Sequence, residues 1–169
     1  MQAKTIDFDQ LQNQRVAATD VFCCLGTTIG KAGSRAAFRR VDFDYPVALA
    51  HAAARDGAKR LLVVSALGAD PGSRVFYNRV KGEMENSVRS AEVAKTCFFR
   101  PSVLSGPRAE LRTGEVIGLA IGAVLGPLLG RYRPIHGDLV AAAMVKAALQ
   151  DLPSQVLESG EIRSLAQSS

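Results

Sequence analysis

Residues Arg60 to Ser65 read Arg-Leu-Leu-Val-Val-Ser, with apolar side chains at successive positions rather than alternate ones. Neighbouring residues of a strand point to opposite faces, so a strand of this kind has both faces buried. That requires a parallel sheet covered by helices on each side. Lys4 to Phe8, Asp20 to Cys24 and Thr96 to Arg100 read as further strands, and a glycine-rich connection runs from Leu25 to Ser34. Helices are expected from Asp44 to Gly57, from Ser73 to Val93 and from Asp138 to Leu149. Asp44 is expected to cap the first, with Pro46 in its first turn, and Asp138 to cap the last. Alternating strands and helices give an α/β fold with a mostly parallel, doubly wound sheet. Residues 1–150 form that domain. Residues 151–169 read as a polar tail, apolar at Val156-Leu157 and with a terminal turn near Ile162.

The expected chemistry lies on the second helix. Tyr77 and Lys81 are one turn apart and project from the same face, twelve residues after Ser65. An ammonium beside a phenol favours the phenolate, lowering a pKa ordinarily near 10 toward working pH. The tyrosine can then exchange a proton with a carbonyl or alcohol, while a serine hydroxyl at the facing strand end orients that oxygen. Three tyrosines and six lysines produce this spacing by chance about 0.1 times in such a chain, so the strand ending in Ser65 carries as much weight as the pair itself.

Several separated segments resemble one family. They are Ile6-Asp7-Phe8; Phe22 to Thr28 with Lys31-Ala32-Gly33; Val41 to Tyr45; Val64 to Asp70; Tyr77 to Glu83; Phe99 to Leu104; and Pro134 to Ala141. In this order they resemble the atypical short-chain dehydrogenases/reductases of the human Tat-interacting-protein type. The resemblance implies a Rossmann topology with strand order 3-2-1-4-5-6 and an NAD(P) cofactor, NADPH favoured over NAD. It implies a small carbonyl or alcohol substrate, with Ser65, Tyr77 and Lys81 catalytic. It further places Gly26, Thr27, Thr28, Arg100, Pro101 and Val103 along the nicotinamide side, Lys81 on its ribose, and Asp7 with Phe8 beside the adenine.

One part of the family pattern is missing. Such proteins begin with a strand, a glycine-rich turn and a helix whose N-terminus holds the pyrophosphate. Here Ile6-Asp7-Phe8 resembles the end of the third strand, so the chain is expected to be a partial, truncated Rossmann-like domain lacking the first two strands. Gly26, Gly30 and Gly33 do not fit G-x-G-x-x-G. Gly26 to Ala32 also fails as a triphosphate loop, having three residues between its glycines and Ala32 where a Ser or Thr is needed. Losing two central strands would bare the edge carrying Val21 to Cys24. Collapse of the gap, pairing with another chain and supply of the missing unit from elsewhere are all open at this point.

Composition narrows the remaining classes. The chain has 169 residues, 47% hydrophobic and 22% charged, enough for one core. Its net charge of +5 suits anionic ligands, but the arginines are scattered and aromatics sparse, which argues against nucleic acid. Cys23 and Cys24 are adjacent and point to opposite faces, Cys97 lies on another strand, and the two histidines are distant, so no metal is expected. Buried thiols and the absence of an apolar leader suggest a cytoplasmic enzyme. Glycines at 114, 118, 122, 126 and 130 suit close helix contact. The uncharged run there is shorter than a membrane span and broken by Pro127, which favours a core or homo-oligomer helix over a membrane helix. Two alternatives to an oxidoreductase stand: a non-catalytic binding or regulatory module of the same fold, and a membrane-associated protein anchored through this helix.

Overall fold

The computed structural model describes residues 6–105 and 133–168. In chain order its strands are β1 (Asp20–Cys23), β2 (Arg60–Val64), β3 (Lys95–Arg100), β4 (Leu104–Ser105), β5 (Ile135–His136) and β6 (Gln155–Glu158). Its α-helices are α1 (Ile29–Ala32), α2 (Arg35–Arg39), α3 (Tyr45–Arg55), α4 (Phe76–Arg89), α5 (Gly137–Leu149) and α6 (Ser159–Gln167). The main sheet is parallel in the order β1-β2-β3-β6, and β4 pairs with β5 separately.

The uninterrupted apolar run becomes β2, and both its faces are buried. Leu61 and Val63 join Phe98 of β3 in a core closed by Leu49 and Ala53 of α3 and Met84 and Val88 of α4. Leu62 points the other way, joining Cys97, Phe99 and Leu157 under Val140, Ala143 and Met144 of α5 and Ile162 of α6. Helices therefore cover both faces of a parallel sheet. Each crossover connects neighbouring strands in one direction, so the described residues form one wing of a doubly wound sheet. Ligands of such folds bind where strand order reverses, and the described strands β1-β2-β3-β6 contain no such reversal.

The outer edge of β1 is bare of any strand among the described residues. The strand expected at Lys4 to Phe8 is not found: Ile6 and Asp7 are irregular, and Phe8–Asn13 forms a 3₁₀ helix. Residues i and i+3 of a 3₁₀ helix eclipse, so Phe8 and Leu11 share one face. Leu11 is buried in the core with Leu49, and the Phe8 ring stacks on Tyr45 at 5.0 Å. The segment packs on α3 and leaves Phe22 of β1 43% exposed.

Three other local expectations need correction. Helical backbone continues without a break from Arg35 through Arg55, so Asp44 caps nothing; Arg40–Asp44 is a wide π-type turn within it. Pro46 has no N–H to return to residue 42 and its ring crowds that carbonyl, and the widened turn accommodates both. At the last long helix His136 takes the cap position, its Nδ1 accepting from Asp138 N, which places Asp138 inside the first turn. The segment expected as a polar tail supplies β6, paired with β3, and α6, closed by a capping box between Glu158 and Glu161. The glycine-spaced stretch from Gly114 to Gly130 lies outside the described residues. Among the described residues no helix is long and apolar enough to cross a membrane.

The loop after β2 rests directly on α4 at Gly82. A Cβ there would lie 2.3 Å from Asp70 C and Pro71 N and 2.6 Å from Pro71 Cδ. Glycine inside an exposed helix ordinarily costs about 0.5–1 kcal/mol relative to alanine. Here Gly82→Ala should instead destabilise by about 2–3 kcal/mol, because backbone must move to admit the methyl group. Urea denaturation checks this; a neutral or stabilised variant would contradict the contact.

Candidate active site

Tyr77, Lys81 and Glu85 recur every fourth residue along α4, on the stripe facing the C-terminal ends of β2 and β3. Tyr77 is half-buried and lines a cleft of about 300 Å³ with Ala66 and Leu67 of the loop after β2 and Pro101, Ser102 and Val103 after β3. Phe38 of α2 packs against the Tyr77 ring, with centroids 5.6 Å apart. The Ser102 hydroxyl donates to the Arg133 carbonyl at 2.6 Å, so the cleft walls present mostly apolar surface.

Lys81 is 3% exposed and its Nζ lies 2.8 Å from Asp42 Oδ1, the carboxylate itself being 1% exposed. Asp42 sits in the π-type turn that Pro46 requires, which swings it beneath the loop after β1. Its second oxygen accepts from Thr27 N at 2.8 Å. Among the described residues, Asp42 Oδ1 is the one buried side-chain polar atom without a well-angled hydrogen bond, so the ammonium holds it by charge alone. Gly26 passes directly over the pair: a Cβ there would stand 3.5 Å from Asp42 Oδ1 and 3.9 Å from Lys81 Nζ. Burial pushes the nearby Cys23 thiol up to about 11.

Ser65 is engaged elsewhere. It is buried, does not line the Tyr77 cleft, and donates through Oγ to Glu85 Oε1 at 2.6 Å. Glu85 also takes a two-pronged contact from Arg100 Nε and Nη2, both at 2.8 Å, and this carboxylate holds the guanidinium above its ordinary value. Of the expected cofactor residues, Gly26 lies over the Lys81–Asp42 pair, Thr27 binds Asp42, and Pro101 and Val103 share the cleft with Tyr77, whereas Arg100 turns to Glu85. Thr28 caps α1 by accepting from Lys31 N at 3.2 Å. Asp7 caps the 3₁₀ helix by accepting from Asp9 N at 3.0 Å. Phe8 lines a separate apolar hollow of about 390 Å³ along the β1 edge, with Ile6, Leu11, Val21 and Phe22. Asp42 and Gly82 fall within segments matched in the sequence but carry no role there, and Glu85 and Phe38 are not singled out. Glu85 alone leaves a signal there, an acidic residue on the same stripe as Tyr77 and Lys81.

Comparison with known proteins agrees with this fold. No family model matches the chain. The "Protein FMP52, mitochondrial" of Eremothecium gossypii is 38% identical over 159 residues, covering 88% of this chain and 70% of that protein. The "Protein HTATIP2" of Rattus norvegicus is 42% identical over 115 residues, covering 66% of this chain and 47% of that one. Among solved structures, the UDP-N-acetylglucosamine 4-epimerase from Bacillus cereus superposes with a TM-score of 0.62 at 15% identity, covering 93% of this chain and 66% of that chain. That likeness is one of fold. The fold is that of a Rossmann-type short-chain dehydrogenase/reductase. Within that class the chain belongs to the atypical family of FMP52 and HTATIP2. It spans about half the length of the rat relative. The cytoplasmic expectation is corrected by these relatives, since the fungal FMP52 proteins are named mitochondrial.

The buried ion pair makes a stability prediction. Lys81→Met strands the Asp42 carboxylate and should cost about 3–5 kcal/mol. Adding Asp42→Asn removes the stranded charge and should recover most of that loss. Denaturant titration of the single and double variants checks it; equal losses would show that the two side chains do not act as a pair.

Proposed function

We propose that the chain carries the proton-transferring half of a nicotinamide-dependent oxidoreductase that interconverts a carbonyl and an alcohol. The observation that carries this reading is Tyr77 opening into a cleft at the C-terminal ends of parallel strands, with Lys81 buried one turn behind it. The apolar walls favour a substrate whose carbonyl is flanked by uncharged groups.

The residues fit a nicotinamide nucleotide at one end. Gly26 adds no side chain over the buried Lys81–Asp42 pair, so only main chain would separate a ribose hydroxyl from Lys81. Pro101 and Val103 offer apolar surface for a flat ring beside Tyr77. The pyrophosphate end has no counterpart among the described residues: no strand precedes β1 there, and α1 has only four residues. When bound, the cofactor would supply the hydride. Tyr77 would give a proton to the carbonyl oxygen during reduction and take it back during oxidation. Lys81 would stabilise the phenolate left behind, held in place by Asp42 and Thr27 N. The second reading is a non-catalytic module of the same fold, in which Lys81 and Asp42 serve only as a buried structural pair. Turnover separates the two.

The test uses a version extended upstream by a strand, glycine-rich turn and helix unit, with turnover followed on a panel of small carbonyl compounds. Tyr77→Phe keeps the ring and removes the transferable proton, so turnover should fall about 10²–10⁴-fold with cofactor affinity little changed. Lys81→Met should move the pH optimum upward and weaken cofactor binding. Unchanged turnover in Tyr77→Phe would leave Tyr77 a packing residue and favour the non-catalytic module.

A further inference from the structure

α4 buries a second carboxylate that the acid/base reading leaves unused. Glu85 follows Lys81 by one turn and Tyr77 by two, and it is 1% exposed. Its acceptors are fully engaged. Oε1 takes Ser65 Oγ at 2.6 Å and Arg100 Nε at 2.8 Å, while Oε2 takes Arg100 Nη2 at 2.8 Å and Arg89 Nη2 at 3.4 Å. Ser65 directly follows β2, and Arg100 ends β3. The main chains beyond them are also tied together, Ser65 N donating to Phe99 O at 2.7 Å and Leu67 N to Pro101 O at 3.0 Å. Those two loops are the walls that face Tyr77. One side chain of α4 thus grips both strand ends from which the cleft is built.

The hydrogen-bond geometry also decides what Ser65 can do. A hydroxyl has one proton, and here it is committed to an ionised carboxylate, a charge-assisted bond of about twice the ordinary strength. Turning it toward a neutral carbonyl would leave a buried carboxylate oxygen short of a donor. We propose that Glu85 is a positioning residue of the Tyr77 site, fixing α4 against the ends of β2 and β3 through Ser65 and Arg100. Ser65 then acts through Glu85 and not on the substrate. The catalytic meaning of this clamp rests on the acid/base reading of Tyr77, but the experiment needs neither cofactor nor substrate.

The chain itself is used, in a double-mutant cycle read by urea denaturation and by nuclear magnetic resonance of ring-labelled tyrosine. Ser65→Ala should lower the folding equilibrium constant about tenfold with Glu85 present, and less than about threefold in the Glu85→Gln background. Glu85→Gln should shift the Tyr77 ring resonance, identified by its loss in Tyr77→Phe, while that of Tyr45, stacked on Phe8, stays in place. A local brace with no influence on the site would leave Tyr77 unmoved and overturn the proposal. Equal Ser65→Ala losses in both backgrounds would overturn it too. Should Glu85→Gln fail to fold, Arg100→Lys keeps a cation but loosens the two-pronged contact, and it replaces Glu85→Gln in both measurements: a smaller Ser65→Ala loss and a shifted Tyr77 resonance support the clamp, and an unchanged value of either overturns it. If instead Tyr77→Phe left turnover intact, the acid/base reading would fall while both readouts still stood.

Discussion

Burying charge on the inner stripe of α4 is the constraint around which the site is arranged. Lys81 and Glu85 lie almost wholly out of water, and each is tolerable only because an opposite charge has been brought to it. For Lys81 the partner comes from a helix distorted by Pro46, which drops Asp42 under Gly26 and Thr27. For Glu85 it comes from the end of β3. These contacts join the loop after β1, the ends of β2 and β3, and α4 into one rigid unit. Tyr77, one turn above Lys81, is positioned by all of them.

The same logic distinguishes the well-formed side of the molecule from its open side. Toward β6 both sheet faces are covered, with α5 and α6 sealing the second core. Toward β1 pairing stops, Phe22 stays exposed, and the 3₁₀ helix packs on α3 without extending the sheet. An apolar hollow runs along that edge, lined by Ile6, Phe8, Leu11, Val21 and Phe22. The Tyr77 cleft lies apart from this hollow, between the loops after β2 and β3, and no glycine-rich strand–turn–helix unit that would hold a pyrophosphate is found among the described residues.

Much of this was legible in the sequence because periodicity and burial agree. The run Leu61 to Val64 could only be a doubly covered strand, and the Tyr77–Lys81 spacing put both residues on one helix face. The misreadings share one cause, namely that local signals were outweighed by long-range contacts. Ile6-Asp7-Phe8 looks like a strand end, but a strand needs a neighbour, and none is described beside β1. Asp44 before Tyr45-Pro46 looks like a cap, but the helix widens to pass the proline. The partner of the Ser65 hydroxyl, Glu85 twenty residues away, is likewise a long-range contact that no local signal announces. Gly82 gives no hint in sequence that a loop lies against it.

The central claim is that the chain holds the acid/base half of a nicotinamide site and needs the upstream half to bind cofactor. Titration calorimetry with NADPH and with NADH, on the chain and on a version extended by a strand, glycine-rich turn and helix, tests this most directly. The extended version should bind at least about 100-fold more tightly, because several charge-assisted hydrogen bonds to the pyrophosphate, at about 1.5–3 kcal/mol each, exceed the roughly 2.7 kcal/mol that this factor represents. Low-micromolar binding by the chain alone, unchanged on extension, would contradict the account and place the cofactor elsewhere.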